Sequence, residues 1–247
     1  FSNGKCVIFL LSFLCINIGS DISKRKSWNK KMVSNFCRIF NNYKMKILIA
    51  CEYSGRVRDA FTKRGHYAMS CDILPTESEG PHYQGDVLDV LNDEWDMMIA
   101  HPPCTYLASS GLHWNKKRPE RALKTEAALE FITTLWKSPI KKVVLENPVG
   151  CINTRLKFMP KPQYVHPYMF GDDASKKTGL WMRGLGKLEP TDMISPRIVE
   201  TPSGRKYQRW GNQYDCGRDN TPNTPDRAKI RSLTFQGLAD AMANQWG

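Results

Sequence analysis

The sequence predicts an α/β fold: a doubly wound, mostly parallel sheet followed by a small, basic, loop-rich C-terminal region. Three observations lead there. Between residues 45 and 150, apolar runs of strand length alternate with helix-length stretches. Each run stops at a polar or glycine-containing turn, as buried parallel strands do. Beyond residue 150 the alternation gives way to Pro, Gly and charged turns with interspersed aromatics.

Residues 1–44 come first and stand apart. Cys6 to Ile18 is an apolar run of about thirteen residues, where a bilayer span needs about twenty. It has the look of a signal-peptide core, but the basic residues Lys24, Arg25, Lys26, Lys30 and Lys31 follow it rather than precede it. These residues are expected to be upstream or disordered sequence, with the methyl-rich start Met45-Lys46-Ile47-Leu48-Ile49-Ala50 opening the folded domain of residues 45–247. Ile47–Cys51 reads as the first strand and Arg58–Lys63 as a short helix. Tyr67–Cys71 reads as a second strand ending at Asp72, and Trp95–Ala100 as another that runs into His101-Pro102-Pro103-Cys104. Pro119–Trp136 is helical, with Pro at its start and Leu123, Ala127, Phe131 and Leu135 as the apolar face. Lys141–Leu145 is a further strand, stopping at Glu146-Asn147-Pro148. Thr224-Pro225-Asp226 opens one last helix whose face is Ile230, Leu233, Gly237, Leu238 and Ala241.

Composition narrows the function classes. With 36 Lys+Arg against 24 Asp+Glu in 247 residues and 41% hydrophobic content, the chain is globular and long enough for one substantial core. Disorder, collagen-like repeats and coiled coil are excluded by that balance. The positive charge is unevenly spread. Residues 1–44 hold eight basic groups against one acid, residues 45–154 thirteen against fourteen, and residues 155–231 fifteen against eight. A near-neutral half followed by a basic half suits a small-ligand site joined to a surface facing a polyanion. The eight cysteines include no C-x-x-C pair and no Cys/His zinc spacing, so reduced thiols in a cytoplasmic protein are expected, with no metal and no membrane partner.

The chemistry-bearing residues stand where strands end, which is where ligands bind in such sheets. Tyr53-Ser54-Gly55 follows the first strand, and Gly55 permits close approach of backbone to a ligand. Asp72 ends the second strand, where a carboxylate can accept both hydroxyls of a ribose. Gly85-Asp86 supplies another acid, suited to an exocyclic amine. Pro102-Pro103 makes a rigid extended turn that would hold the Cys104 thiol outward at the sheet edge. Glu146 ends an apolar strand, where a carboxylate is costly unless it does chemistry or finds a partner.

Pro102-Pro103-Cys104, followed 42 residues later by Glu146-Asn147-Pro148, resembles the catalytic pair of the DNA cytosine-5 methyltransferases. The order of the Ser54-Gly55 loop, Asp72, Gly85-Asp86, Cys104 and Glu146 agrees, and Thr234 to Ala243 is similar to the family's closing segment. The resemblance covers residues 45–247 and is to the compact, phage-encoded members. It implies a Rossmann-like, S-adenosylmethionine-dependent methyltransferase, expected as a monomer acting on DNA. It also implies catalytic Cys104 and Glu146, with cofactor contacts from Tyr53, Ser54, Gly55, Asp72, Asp86 and Pro102. Two departures matter. Tyr53 stands where the family has its first glycine, and the family's Gln-x-Arg-x-Arg segment has only Gln208-Arg209, after Arg205-Lys206, as a stand-in.

By that resemblance the Cys104 thiolate adds to cytosine C6 and Glu146, its pKa raised by burial, protonates or hydrogen-bonds N3. Arg205, Lys206 and Arg209, with Arg227 and Arg231, are expected to contact phosphates, and Trp181, Tyr207 and Trp210 to stack on bases. Residues 155–225 would serve as a reduced target-recognition element. Two alternatives remain: a C5-modifying enzyme acting on nucleotides or single strands, and a non-catalytic DNA-binding protein. Amino-group methyltransferases usually carry an aromatic where Cys104 stands, which argues against them.

Overall fold

The computed structural model describes residues 44–247, so the readings made for residues 1–43 lie outside the described residues. Seven strands form one sheet: β1 (Lys46–Ala50), β2 (Tyr67–Asp72), β3 (His82–Gln84), β4 (Met97–Ala100), β5 (Lys142–Pro148), β6 (Gln163–Val165) and β7 (Thr178–Arg183). Their spatial order is β3-β2-β1-β4-β5-β7-β6. The first five are mutually parallel, and β7 runs antiparallel between β5 and β6. The α/β, doubly wound, Rossmann-like expectation therefore holds. The order reverses between β1 and β4, so their carboxyl ends flank a crevice at the switch point.

Both sheet faces are covered because successive strand side chains point to opposite sides. Leu48, Ala50, Met98, Ala100, Val143 and Leu145 pack on one face against α4 (Pro119–Trp136). Ile47, Ile49, Met97, Ile99, Val144 and Leu180 pack on the other against α1 (Arg56–Thr62) and α7 (Gln236–Trp246). Short helices α2 (Val87–Val90), α3 (Ser109–Leu112) and α5 (Ile152–Arg155) punctuate the connections. A two-stranded hairpin, β8 (Arg197–Glu200) with β9 (Lys206–Arg209), stands outside the main sheet, and α6 (Arg227–Ser232) precedes α7.

Four sequence readings are corrected. The face α4 buries is Thr125, Leu129, Ile132, Leu135 and Trp136, while Leu123 is exposed; at low amphipathicity, packing on the sheet rather than the apolar pattern sets the rotation. Strand β5 does not stop at Glu146 but runs on to Pro148, because β7 supplies antiparallel partners for Glu146, Asn147 and Pro148. The region after residue 150 is not merely loops, since β6 and β7 complete the sheet. Finally, the single last helix is two, broken at Leu233–Phe235. There Arg56 Nη1 donates to the Thr234 carbonyl at 2.9 Å and the Gly237 N–H donates to Asp172 Oδ2 at 3.0 Å, so docking onto the body replaces helical continuity.

Candidate active site

Parallel pairing of β4 with β5 places Ala100 beside Leu145, so the residues that follow, His101 and Glu146, emerge together at the carboxyl edge. His101 Nδ1 lies 3.2 Å from Glu146 Oε2, with the two side chains only 8% and 16% exposed. With Glu146 ionised, Nδ1 is the donor. His101 Nε2 is buried and has no protein partner.

The Pro102-Pro103-Cys104 loop is braced on all sides. Asn147 Nδ2 donates to the Pro102 carbonyl at 2.8 Å, tying the loop to β5. The Cys104 carbonyl accepts from the N–H groups of Leu107 and Ala108 at 3.0 and 2.9 Å. Arg121 Nη2 reaches the Thr105 carbonyl at 2.6 Å and Thr125 Oγ1 the Tyr106 carbonyl at 2.9 Å. With its backbone satisfied in this way, the loop is a rigid support, and Cys104 stands exposed upon it.

The two groups are shifted in opposite directions. Partial burial and the neighbouring Glu146 carboxylate push the Cys104 thiol up, against the pull of Lys176 and Arg231. Burial also pushes Glu146 up, but the His101 hydrogen bond, Lys176 and the Thr178 hydroxyl outweigh it, and the carboxyl titrates below its ordinary value. The expectation of a raised Glu146 pKa is therefore overturned. The resting site pairs an ionised carboxylate with a thiol. By contrast, Cys51 is pushed far up by burial and by Asp72, and Cys71 is pushed up to about 12 by burial and the same acid, so both are inert.

At the other side of the switch point, Cys51 follows β1 with φ 59°, a left-handed conformation unusual for a side-chain-bearing residue. Glu52 follows, buried, accepting from the Val57 N–H at 2.7 Å and the Arg58 N–H at 3.2 Å, and so caps the start of α1. Gly55 has φ 73°, and a Cβ there would strike the Ser78 hydroxyl and the Arg58 guanidinium. Ser54 Oγ donates to Glu52 Oε1 at 3.3 Å. Asp72 Oδ1 accepts from the Leu74 N–H at 2.9 Å, and Asp86 Oδ1 from the Leu88 N–H at 3.0 Å; both carboxylates act on the Cys51 thiol and so share this edge. Tyr53 is 7% exposed and its phenol donates to the Lys229 carbonyl at 2.8 Å, so its ring anchors α6.

The structure thus gathers Tyr53, Ser54, Gly55, Asp72, Asp86, Pro102, Cys104 and Glu146 along one sheet edge. Arg205 and Lys206 lie outside that edge on the exposed hairpin, where Lys206 Nζ sits 3.8 Å from Glu200. Arg209 Nε donates to the Asp215 carbonyl at 3.0 Å and its guanidinium covers Tyr207, so it holds the hairpin to the next loop. Trp181 is 2% exposed and donates to Asn153 Oδ1 at 2.9 Å, so it belongs to the core and cannot stack on a base. Trp210 stacks on Tyr168 at 4.4 Å between ring centroids. His101, Glu52 and Lys176 are site residues that sequence reasoning did not select; a histidine directly after an apolar strand and next to Pro-Pro was the available signal for the first.

No protein-family model matches the chain, and no curated protein matches it. Among solved structures, an E. coli prophage-encoded protein described as a DNA modification methyltransferase is similar over 61% of this chain and 52% of its own, at 14% identity and a TM-score of 0.41. The matched part thus spans about half of that protein. The Thermoplasma acidophilum 1320 protein is similar over 60% of this chain and 84% of its own, at 13% identity and a TM-score of 0.37. WbdD, solved with a kinase inhibitor, is similar over 78% and 48%, at 12% identity and a TM-score of 0.36. The fold rests on the strand order of the chain itself. Among the described residues no helix is long and apolar enough to cross a membrane.

Proposed function

We propose that this protein methylates carbon 5 of cytosine in DNA through a covalent bond to Cys104. The observation that carries the reading is the juxtaposition of an exposed thiol on a braced Pro-Pro loop with the Glu146 carboxylate on the neighbouring strand, close enough for the carboxylate to push the thiol up. A binding protein has no use for such a pair.

The donor set at the β1, β2 and β3 ends fits a nucleoside cofactor. Asp72 and Asp86 each commit only Oδ1 to a local backbone N–H, and the left-handed Cys51 and Gly55 set the course of the loop at 53–55 beside them. These residues, with Pro102, would hold S-adenosylmethionine, which when bound supplies an electrophilic methyl group. The chain's own residues do the rest. Cys104 Sγ forms a bond to C6 and moves the ring electrons toward C5. Glu146, ionised at rest and with its Oε2 held by His101, takes the proton that the Cys104 thiol gives up and passes it to N3. Once C5 carries the methyl group, loss of the C5 proton to solvent and return of the N3 proton by way of Glu146 expel Cys104 from C6 as the thiol. A proton on Glu146 removes the charge that raises the Cys104 thiol, so engagement of N3 and activation of the nucleophile favour each other. The reading is tested by incubating the protein and cofactor with duplex DNA containing 5-fluorocytosine. A stable covalent complex lost in Cys104→Ser supports it, and its absence from the unmodified protein refutes it.

A further inference from the structure

The connection after the Cys104 loop carries a second feature. Residues 113–124 hold five Lys/Arg against one acid, Glu120. None of these five cations is within ion-pair distance of a carboxylate among the described residues. Instead four of them, all but Lys116, gather over aromatic rings. Lys117 Nζ and the Arg118 guanidinium lie 5.5 and 5.0 Å from the Trp114 ring, itself 41% exposed. Arg121 and Lys124 lie 4.8 and 5.7 Å from the Tyr106 ring. A ring holds a cation in place without neutralising it, whereas a carboxylate cancels it. Two hairpin cations contrast: Lys206 faces Glu200 and Arg197 pairs with Asp215, whereas Arg209 shares the ring-held arrangement, over Tyr207.

Resting on the DNA reading above, we propose that the face formed by Tyr106, Trp114 and the start of α4, rather than the β8–β9 hairpin, grips the phosphate backbone of the DNA. Charge complementarity selects a polyanion, and the position of the face selects the strand that carries the reacting base. Arg121 bonds at once to the carbonyls of Thr105 and Gly111, so this face is continuous with the loop that bears Cys104. A phosphate drawn to these cations is thereby fixed relative to the nucleophile.

The test compares Lys117→Gln/Arg118→Gln/Lys124→Gln with Arg205→Gln/Lys206→Gln/Arg209→Gln, each checked for an unchanged thermal melt. Anisotropy of a labelled cytosine-containing duplex, titrated with protein across a range of salt, gives the affinity and its salt slope. The α4 variant should lose about two to three units of slope and about tenfold or more in affinity near physiological salt, because each phosphate contact contributes about 0.9 to the slope. The hairpin variant should change far less. A slope unchanged in the α4 variant, or a loss confined to the hairpin variant, overturns the proposal. So does a loss of binding to anionic phospholipid vesicles with DNA binding intact. Binding needs no chemistry, so DNA binding through this face without a 5-fluorocytosine adduct would refute the proposed reaction and leave the surface standing.

Discussion

At Cys104 the neighbouring carboxylate hinders the thiol it serves, and that sign can be measured. Removing the Glu146 charge lowers the thiol pKa and enlarges the thiolate fraction at any given pH below it. Glu146→Gln should therefore speed alkylation of Cys104 by iodoacetamide at about pH 8. The same variant should slow methyl transfer by about 10²–10⁴, the usual share of an acid–base group. Cys104→Ser should abolish transfer while cofactor affinity, read by calorimetry, stays unchanged, because the hydroxyl stays protonated where a thiol can ionise. Since the thiol titrates above its ordinary value, the transfer rate in the unmodified protein should climb with pH through the neutral range. His101 is the positioning residue of the pair. His101→Leu removes the donor to Oε2, so the Glu146 carboxyl, followed by NMR of carboxyl-labelled protein, should titrate higher, and His101→Gln should restore part of the shift. An unmoved midpoint in His101→Leu would remove that role. Asp72→Ala should weaken S-adenosylmethionine by about 1–3 kcal/mol, the scale of a hydrogen bond to a charged group.

Among the elements, two glycines show how local preference and packing compete. Gly237 lies in α7, where alanine would be favoured by up to about 1 kcal/mol on helix propensity alone. A Cβ there, however, meets the carbonyl oxygen of Phe170, a backbone atom that cannot swing aside. Gly237→Ala should therefore destabilise the protein in chemical denaturation, against the propensity scale. Gly55→Ala adds a left-handed φ to a collision with Ser78 and Arg58, and should cost about 2 kcal/mol or more. The break between α6 and α7 has the same origin. Leu233 turns to ψ 135° because the Arg56 and Asp172 contacts hold the Thr234–Gly237 backbone to the body, so a helix pattern continuous in sequence is interrupted in space.

For the whole molecule, residues 45–247 should fold and bind cofactor when made alone, because the described sheet covers both its faces from within that range. Circular dichroism and calorimetry of that fragment check this, and a misfolded fragment would show that residues 1–44 are needed for folding. The sequence by itself determined the α/β class, the positions of β1, β2, β4 and α4, and the places where chemistry-bearing residues stand. Buried parallel strands are continuous apolar runs, and their ends are marked by Gly, Pro and acids that local backbone geometry demands. The placement of Cys104 and Glu146 at the carboxyl edge of the sheet was legible for the same reason, since each comes after such a run. Only the tertiary structure decided the rest. β6 is only three residues long and β7 is mixed in polarity, and they become strands because β5 leaves an edge to pair. Trp181 reads as a surface aromatic among basic residues until β7 carries it into the core. The Glu146 pKa turns on His101, 45 residues away, and on Lys176 and Thr178, which reach it only when β5 lies between β4 and β7. Such couplings depend on which strands become neighbours, and no local pattern records that.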